Sequence, residues 1–446
     1  MTTDAASPLP VKNILKNRHF LLLWMAQAVT QVAQNAVGFV VMVIVQDHTH
    51  STTQTSFAVL SFIMPSVLFG ILAGVLVDRA DKRMVLVATN LLRAGAVLGY
   101  FFTDGAFALF FLVTFIFSTI SQFFGPAEIA AIPMLVRRDQ LITANSLFQL
   151  TVSVSQLLGF VLLAPLVIKL FGTQAFGVRV FFSIIAAIYI LAALMVWFLP
   201  PDREKPKPLT GEEGGTLVRG ALEEIGQGWR IITGDRATWT SVLQLTLMST
   251  LLMALAPLAT AFAESVIRVR PEDAAYILAP AGLGVLVGTL AMPGLARRLA
   301  KGTLINLGLV SMGLGLMALA AVKTGGSYLL YNVVGRIMDT AGLHQAVGLV
   351  PIVMVLAFLL GLEFASVNIP AQTVLQERCP PSVRGRIFAV WFVLSNVASI
   401  LPLIFIGAVA DLIGVNKVIL LIGVGIMLFG LASVRHDVEE RIREVG

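Results

Sequence analysis

Long apolar runs recur along the whole chain, and this feature most constrains what the chain can fold into. A helix needs about 20 apolar residues to cross a bilayer, and runs of that length rather than alternating strands favour a helical membrane protein. We predict an all-α integral membrane protein with twelve transmembrane helices in its 446 residues. The predicted spans are residues 20–45, 57–77, 84–102, 106–134, 142–168, 176–199, 238–263, 273–295, 302–322, 347–369, 386–410 and 415–434.

The composition excludes several functional classes. Charged residues make up 13% of the chain and hydrophobic residues 57%, whereas soluble domains carry about 25% charged residues. A single cysteine, Cys379, excludes a disulfide framework and a multi-cysteine metal site. The sequence contains no phosphate-binding P-loop and no recognisable set of nucleophile, base and acid. We therefore expect no enzyme activity, no cofactor, no metal site and no ATP-driven transport.

The basic residues lie between the apolar runs and give the orientation. With the N-terminus in the cytoplasm, 23 Lys and Arg residues fall on the cytoplasmic side and seven on the other. Cytoplasmic loops of membrane proteins carry this excess. The sequence thus predicts a multi-pass protein of the cell membrane with both termini cytoplasmic. The net charge of +6 belongs to these loops, so we expect no nucleic-acid partner.

One long polar break, from Pro200 to about Trp239, divides the spans into two sets of six. We predict an N-terminal bundle at 1–199, a cytoplasmic linker at 200–236, and a C-terminal bundle with a cytoplasmic tail at 237–446. The halves echo each other, since GPAEIAAIPMLVRRDQLITANSLF recurs in form as IPAQTVLQERCPPSVRGRIFAV. Two pseudo-symmetric six-helix bundles are typical of transporters whose substrate site lies between the halves.

The loop between the second and third spans carries a dense motif, GVLVDRADKR, which begins at Gly74. Gly74 lacks a side chain and would let two helices approach closely. Asp78, at a helix end, is placed to accept N–H groups from a facing helix start near Arg384 to Ile387, which would stabilise an outward-facing state. We assign gating roles to a set that also includes two buried ionisable residues: Gly74, Asp78, Arg79, Lys82, Arg83, Arg93 and Glu128.

This motif, within MPSVLFGILAGVLVDRADKRMVLVATNLLRAG, and the preceding KNRHFLLLWMAQAVTQ resemble the major facilitator superfamily, in particular its macrolide-efflux and siderophore-exporter branch. The resemblance covers nearly the whole chain and implies the twelve-helix fold, secondary active transport by alternating access, and export of a small molecule. The chain departs from the family pattern at four places: Asp81 replaces a glycine, Met292 replaces the second-half aspartate, Gly159 and Pro165 are too widely spaced, and Gln34 and Asn35 replace an acid.

Polar residues inside the spans favour a substrate cavity, because such residues are costly in lipid. In the first span they share one helical face, and two other spans carry similar sets. The predicted substrate-binding residues are Gln27, Gln31, Gln34, Asn35, Gln149, Ser153, Gln156, Trp391 and Asn396. The alternative is that these side chains form hydrogen bonds between helices and stabilise the bundle.

Few ionisable residues lie inside the spans. Arg93 and Glu128 are expected at a similar depth, where an ion pair would serve either structure or gating. Glu363 lies near the membrane midplane without a basic partner, and burial favours its neutral form, so it is the candidate for proton coupling; a structural glutamic acid is the alternative. Glu264 is expected to pair with Arg268 and Arg270 at the outer surface. His48 and His50 are expected in a solvated loop.

Three functions remain open at this stage. The first is a secondary exporter of amphipathic small molecules, with protons as a possible coupling ion. The second is a flippase for lysophospholipid or another lipid, and the third is a membrane sensor or assembly factor that does not transport. The expected partners are a small-molecule or lipid-like substrate, protons and membrane lipids, and the expected state is a monomer.

Overall fold

The computed structural model describes residues 14–103, 106–137, 140–172, 174–201, 226–270, 274–322, 349–379 and 384–445, with residues 220 and 223. Side chains of some helical residues, including Asp78, Gln149 and Ser153, lie outside this description. The described residues form helices and turns with no β-strand. The helices are α1 Arg18–Thr49, α2 Thr52–Arg79, α3 Lys82–Leu98, α4 Phe107–Leu135, α5 Leu141–Leu157 continuing through a π-helical turn Leu158–Leu163 into Ala164–Phe171, α6 Ala175–Trp197, α7 Arg236–Phe262 with a terminal π-helical turn Ala263–Ile267, α8 Ala274–Leu295, α9 Lys301–Ala321, α10 Leu349–Arg378, α11 Arg384–Ile413 and α12 Val415–Val445.

These helices confirm the predicted fold class. Within the described ranges, 11 helices are long and apolar enough to span a membrane. The remaining predicted span corresponds to α8, whose apolar stretch Ala279–Met292 is shorter. Helices pair most of their backbone hydrogen-bonding groups within the segment, which is what a chain crossing lipid requires.

Short turns with specific backbone geometry separate several of the helices. His50, between α1 and α2, has a φ of 49°, and Gly414, between α11 and α12, has a φ of 93°.

Asp81 caps the start of α3, where its Oδ1 accepts a hydrogen bond from the backbone N–H of Met84 at 3.0 Å. This cap explains why an aspartate suits the position where the family pattern has a glycine.

The described residues group into two compact units. Unit 1 runs to Ile44 and resumes from Leu60 to Leu222, while unit 2 consists of Val45–Val59 and the chain from Glu223 onward. The ends of α1 and α2 that meet at their connecting turn therefore belong to unit 2, although most of the length of both helices belongs to unit 1. Unit 1 has a buried core that includes Phe20, Leu86 and Phe148.

The core of unit 2 includes residues of α7, α9, α10, α11 and α12. Small residues bring the helix backbones of this unit very close. A Cβ atom added to Gly361 of α10 would lie 1.9 Å from the carbonyl oxygen of Ala281 in α8. A Cβ added to Gly313 of α9 would lie 2.6 Å from the backbone nitrogen of Met427 in α12. Close contact through small residues is typical of helices packed in a membrane, where apolar bulk gives no advantage over lipid.

Candidate functional site

In unit 1, the polar face of α1 lies against α5. Gln27 is buried, and its Nε2 donates a hydrogen bond to the carbonyl oxygen of Phe148 at 3.4 Å. Nearby, Trp24 Nε1 donates to Thr151 Oγ1 at 2.8 Å, and Ser155 Oγ donates to the carbonyl oxygen of Ala28 at 3.3 Å. Sequence reasoning missed Trp24, Thr151 and Ser155. The i, i+4 spacing of Thr151 and Ser155 was the signal that marked this face of α5.

Two amide atoms of the α1 face remain without hydrogen-bond partners among the described residues. These are Oε1 of Gln27, an acceptor, and Nδ2 of Asn35, a donor, and both are buried. Gln31 and Gln34 are half-buried on the same helix. Leaving a buried polar atom unpaired costs roughly 1–3 kcal/mol, so such atoms mark places where a ligand or water can bind.

Asn35 lies beside an irregular part of α5. A Cβ added to Gly159 would lie 2.6 Å from the Cβ of Asn35 and 2.7 Å from the carbonyl oxygen of Val32. Gly159 belongs to the π-helical turn Leu158–Leu163, a distortion that recurs at functional sites. Of the residues predicted on α5, Gln156 is exposed, whereas the side chains of Gln149 and Ser153 lie outside the described part.

In unit 2, α11 and α7 are joined by two hydroxyl contacts one helical turn apart. Ser395 Oγ lies 3.5 Å from Thr246 Oγ1, and Ser399 Oγ lies 3.3 Å from Thr250 Oγ1. The two threonines were missed from the sequence because α7 is long and mostly apolar. Here the hydroxyl groups connect helices, as the alternative to cavity lining predicted.

The two predicted substrate residues on α11 differ in their contacts. Trp391 packs edge-on against Phe388, with ring centroids 5.8 Å apart. Its Nε1 is buried and donates no hydrogen bond to any described residue. Asn396 Nδ2 instead donates to the carbonyl oxygen of Phe392 in its own helix at 2.8 Å. Of these two residues, Trp391 is therefore the one with a donor unused among the described residues.

An open-sided apolar cavity of about 360 Å³ lies within unit 2, between α7, α11 and α12. Leu251, Pro402, Ile406 and Phe429 are among its lining residues, which also include Thr250. A volume above about 300 Å³ is in the range of small-molecule sites. The lining fits a hydrocarbon or aromatic group rather than an ion.

Arg93 and Glu128 are both buried in unit 1 but do not form the predicted direct ion pair. No ion-pair contact of 4.0 Å or less joins these two described side chains, although α3 and α4 pack together. The Arg93 guanidinium instead lies over two aromatic rings, 4.2 Å from the centroid of Phe124 and 4.8 Å from that of Tyr189. It also donates to Asn90 Oδ1 at 2.8 Å. Aromatic faces attract a guanidinium, which explains this arrangement.

The family of this chain follows from its similarity to known protein families. Residues 23–402 match the family model described as Major Facilitator Superfamily. The chain belongs to the major facilitator superfamily. The family predicted from the loop motif is thus confirmed, and the chain is a multi-pass membrane protein of a transporter family.

Two relatives and one solved structure illustrate the similarity. YfiS, an MFS-type transporter of Bacillus subtilis, is 25% identical, over 86% of this chain and 84% of its own length. Macrolide efflux protein A of Streptococcus pyogenes is 23% identical, over 91% of this chain and 92% of its own. The crystal structure of the nucleoside transporter NupG matches with a TM-score of 0.68 and 12% identity, covering 93% of this chain and 98% of that one. That last likeness concerns the fold alone.

The superfamily loop motif lies at the end of α2 and the start of α3. A Cβ added to Gly74 would meet no atom of the described residues within 4 Å, so the predicted close approach there stays a prediction. Arg83 places its guanidinium over the ring of Trp197, 5.1 Å from the centroid. Arg79 and Lys82 are half-buried. The side chains of Asp78 and of α11 residues Arg384 and Arg386 lie outside the described residues.

Glu363 of α10 points toward α9 of the same unit. A Cβ added to Gly315 would lie 3.1 Å from its Oε2. That oxygen is buried and accepts no hydrogen bond from the described residues. Glu363 is therefore a half-buried carboxyl in close contact with Gly315 of α9.

Glu264 differs from its sequence prediction, because it contacts Gln46 and His50 of the α1–α2 turn, whereas pairing with Arg268 and Arg270 was expected. His50 lies in an exposed turn, as expected, with its side chain 70% exposed. Its imidazole Nδ1 also contacts Glu264 Oε1, which the sequence did not predict. Sequence spacing missed this contact because the two residues are 214 positions apart.

Proposed function

We propose that this transporter exports an amphipathic small molecule by alternating access in exchange for protons, with both termini in the cytoplasm. The proposal takes residues 1–199 and 237–446 as the two bundles and 200–236 as the cytoplasmic linker. Among known proteins, macrolide efflux protein A supports export as the direction and a macrolide as a first probe.

The observation that carries this proposal is the unpaired amide chemistry on α1. Oε1 of Gln27 offers an acceptor, and Nδ2 of Asn35 offers a donor, both buried and both without partners among the described residues. We assign Gln31, Gln34, Gln149, Ser153, Gln156, Trp391 and Asn396 to the same site, as the sequence predicted. A ligand with separated hydroxyl or carbonyl groups satisfies amides without requiring a charge.

The apolar cavity of unit 2 supports the amphipathic class. It offers about 360 Å³ lined mainly by aliphatic side chains and Phe429. A substrate with a large apolar surface gains free energy from such a lining, while its polar groups require donors and acceptors elsewhere.

Glu363 is the proposed proton site. Its buried Oε2 lacks a hydrogen-bond donor among the described residues, and a neutral carboxyl is the cheaper form in such a place. Protonation and deprotonation would change the charge between α9 and α10 during the cycle. Arg93 and Glu128, held among aromatic rings, are proposed to stabilise unit 1 during gating.

Binding to the purified protein tests the proposed site. Labelled erythromycin, a macrolide, should bind the parent protein, and Asn35→Leu should weaken that binding about tenfold because it removes one hydrogen bond in a dry site. Thr89→Val is the matched control, since Thr89 is buried in unit 1 but donates only to the backbone of its own helix. Equal affinities for parent and Asn35→Leu would contradict the proposed role of the α1 face.

A second candidate, a lipid flippase, is favoured by the same apolar cavity, which also fits an acyl chain. Lysophosphatidylcholine serves as the probe. If it binds the purified protein and erythromycin does not, the flippase replaces the exporter.

A further inference from the structure

The turn between α1 and α2 is attached to unit 2 by side chains from two other helices. It contains His50, whose backbone has a left-handed φ of 49°, and Ser51. Residues 45–59, which include this turn, belong to unit 2, whereas the rest of α1 and α2 belongs to unit 1. Contacts made at this turn therefore decide whether the outer ends of α1 and α2 stay with unit 2.

Asp411, near the end of α11, caps the start of α2. Its Oδ1 accepts a hydrogen bond from the backbone N–H of Thr52 at 2.8 Å, and its Oδ2 accepts one from that of Thr53 at 3.0 Å. The hydroxyl groups of Ser51 and Thr53 donate to Oδ2 at 2.8 and 2.6 Å. The first N–H groups of a helix have no partners within the helix, and an anion there is stabilised by the helix dipole.

One helical turn earlier on α11, Gly407 allows the two backbones to meet. A Cβ added there would lie 2.6 Å from Ser56 Oγ, from the carbonyl oxygen of Thr52 and from the Cα of Thr53. Gly407 and Asp411 are four residues apart and share a helical face. A side chain at position 407 would thus push α2 away from the same surface that Asp411 caps.

Glu264, in the π-helical turn at the end of α7, forms a second attachment. Its Oε2 accepts a hydrogen bond from Gln46 Nε2 at 2.7 Å, and its Oε1 contacts His50 Nδ1. Gln46 is itself held by Thr55, whose Oγ1 donates to Gln46 Oε1 at 2.9 Å. Glu264 and Asp411 thus hold the same turn from two different helices.

We propose that Asp411, Gly407 and Glu264 form an outer latch that keeps the α1–α2 turn docked on α7 and α11 and must release during each transport cycle. Asp411 caps the start of α2 from the end of α11, and Asp78 is proposed to cap the start of α11 from the end of α2. The latch rests on the proposed alternating access but does not depend on the substrate.

Distances between spin labels test the latch in the full-length protein. Cysteines replace Phe102 and Lys417, exposed residues at the outer ends of α3 and α12, in a Cys379→Ser background. In the Asp411→Ala/Glu264→Ala variant, the fraction of molecules with the two labels far apart should rise about threefold or more. The reason is that both attachments of the α1–α2 turn, one to α11 and one to α7, are lost. Glu377→Ala is the matched control, since Glu377 contacts Lys301 in the same unit but not the turn.

The distance distributions decide the proposal. A long-distance population that rises in the double variant but not in Glu377→Ala supports the latch. Unchanged distributions in the double variant, or the same shift in the control, overturn it. Asp411→Asn removes the charge, and Gly407→Ala disturbs the close contact, so each should produce part of the shift in distance. These single variants test the latch if the double variant does not fold.

Failure of the proposed function has a different signature. If the label distances respond as expected while erythromycin neither binds nor crosses the membrane, the latch proposal is supported and the substrate assignment is wrong. If transport occurs while the distances do not respond, the latch is wrong and the exporter remains.

Discussion

Asp235 shows how one charged side chain outside the membrane stabilises the start of a span. Its Oδ2 accepts hydrogen bonds from the backbone N–H and the hydroxyl group of Thr238 at the beginning of α7. Asp235→Ala should lower the stability of the protein by about 0.5–2 kcal/mol, the usual cost of losing such a cap. Thermal unfolding in detergent at pH 7 measures the change.

The effect of Asp235→Ala should depend on pH. The hydrogen bonds from Thr238 lower the pKa of Asp235, with a smaller contribution from the charge of Arg378. A carboxyl whose folded pKa is lowered stabilises the protein above its unfolded pKa, and this contribution is lost as the pH falls through the folded value. The difference in melting temperature between parent and variant should therefore shrink at acidic pH. A difference that stays constant would show that the charge of Asp235 is irrelevant.

Glu363 is the residue on which the proposed proton coupling depends. Glu363→Gln mimics the neutral carboxyl, so erythromycin binding should persist while transport driven by a pH gradient falls at least about tenfold. Glu377→Gln, a change of the same kind at a half-exposed residue of α10, should leave transport unchanged. Full transport by Glu363→Gln would make Glu363 a structural residue.

Single residues were predictable from the sequence when their environment was local. Asp78 could be placed near a helix end, because α2 ends at Arg79, whereas the midplane position of Glu363 stays a prediction. The contact between Glu264 and His50 was not predictable, because it depends on how α7 meets the α1–α2 turn. The aromatic surroundings of Arg93 were missed for the same reason, since Tyr189 comes from α6.

At the scale of helices, the contact of α1 with α5 depends on one glycine. Gly159→Ala places a Cβ within 2.7 Å of the carbonyl oxygen of Val32, so α1 or α5 must shift. We expect a loss of stability of about 1–3 kcal/mol in detergent, together with weaker erythromycin binding, because Asn35 would be displaced. Gly38→Ala is the control, since an added Cβ there meets no atom of the described part of the chain within 4 Å. A melting temperature equal to that of Gly38→Ala would refute the close contact.

Asp78 of α2 is proposed to accept N–H groups at the start of α11 in the outward-facing state. A carboxylate at a helix start contributes about 0.3–2 kcal/mol, which changes a two-state population severalfold. Asp78→Asn should therefore raise the inward-facing population and slow transport without unfolding the protein. Spin-label distances between Arg137→Cys and Arg298→Cys, at helix ends proposed to be cytoplasmic, report the population. An unchanged ratio of inward-facing to outward-facing molecules would contradict the proposed role of Asp78.

The existence and length of the helices followed from the sequence, because lipid demands long apolar runs that satisfy their own hydrogen bonds. The π-helical turn in α5 did not follow, since Leu158–Leu163 is as apolar as an ordinary span. The close pairing of α8 with α10 was also missed, because glycine and alanine occur along many spans and only packing selects the ones that meet.

At the scale of the whole molecule, we propose that the protein moves an amphipathic substrate against its concentration gradient by using the proton gradient. The most direct measurement is the movement of labelled erythromycin across proteoliposomes that contain the purified protein, with and without an imposed pH gradient and with no ATP. We expect erythromycin to accumulate against its concentration gradient only when the pH gradient is present. Adding a protonophore should abolish this accumulation. Movement that stops at equal concentrations, or no movement beyond that of empty liposomes, would contradict it.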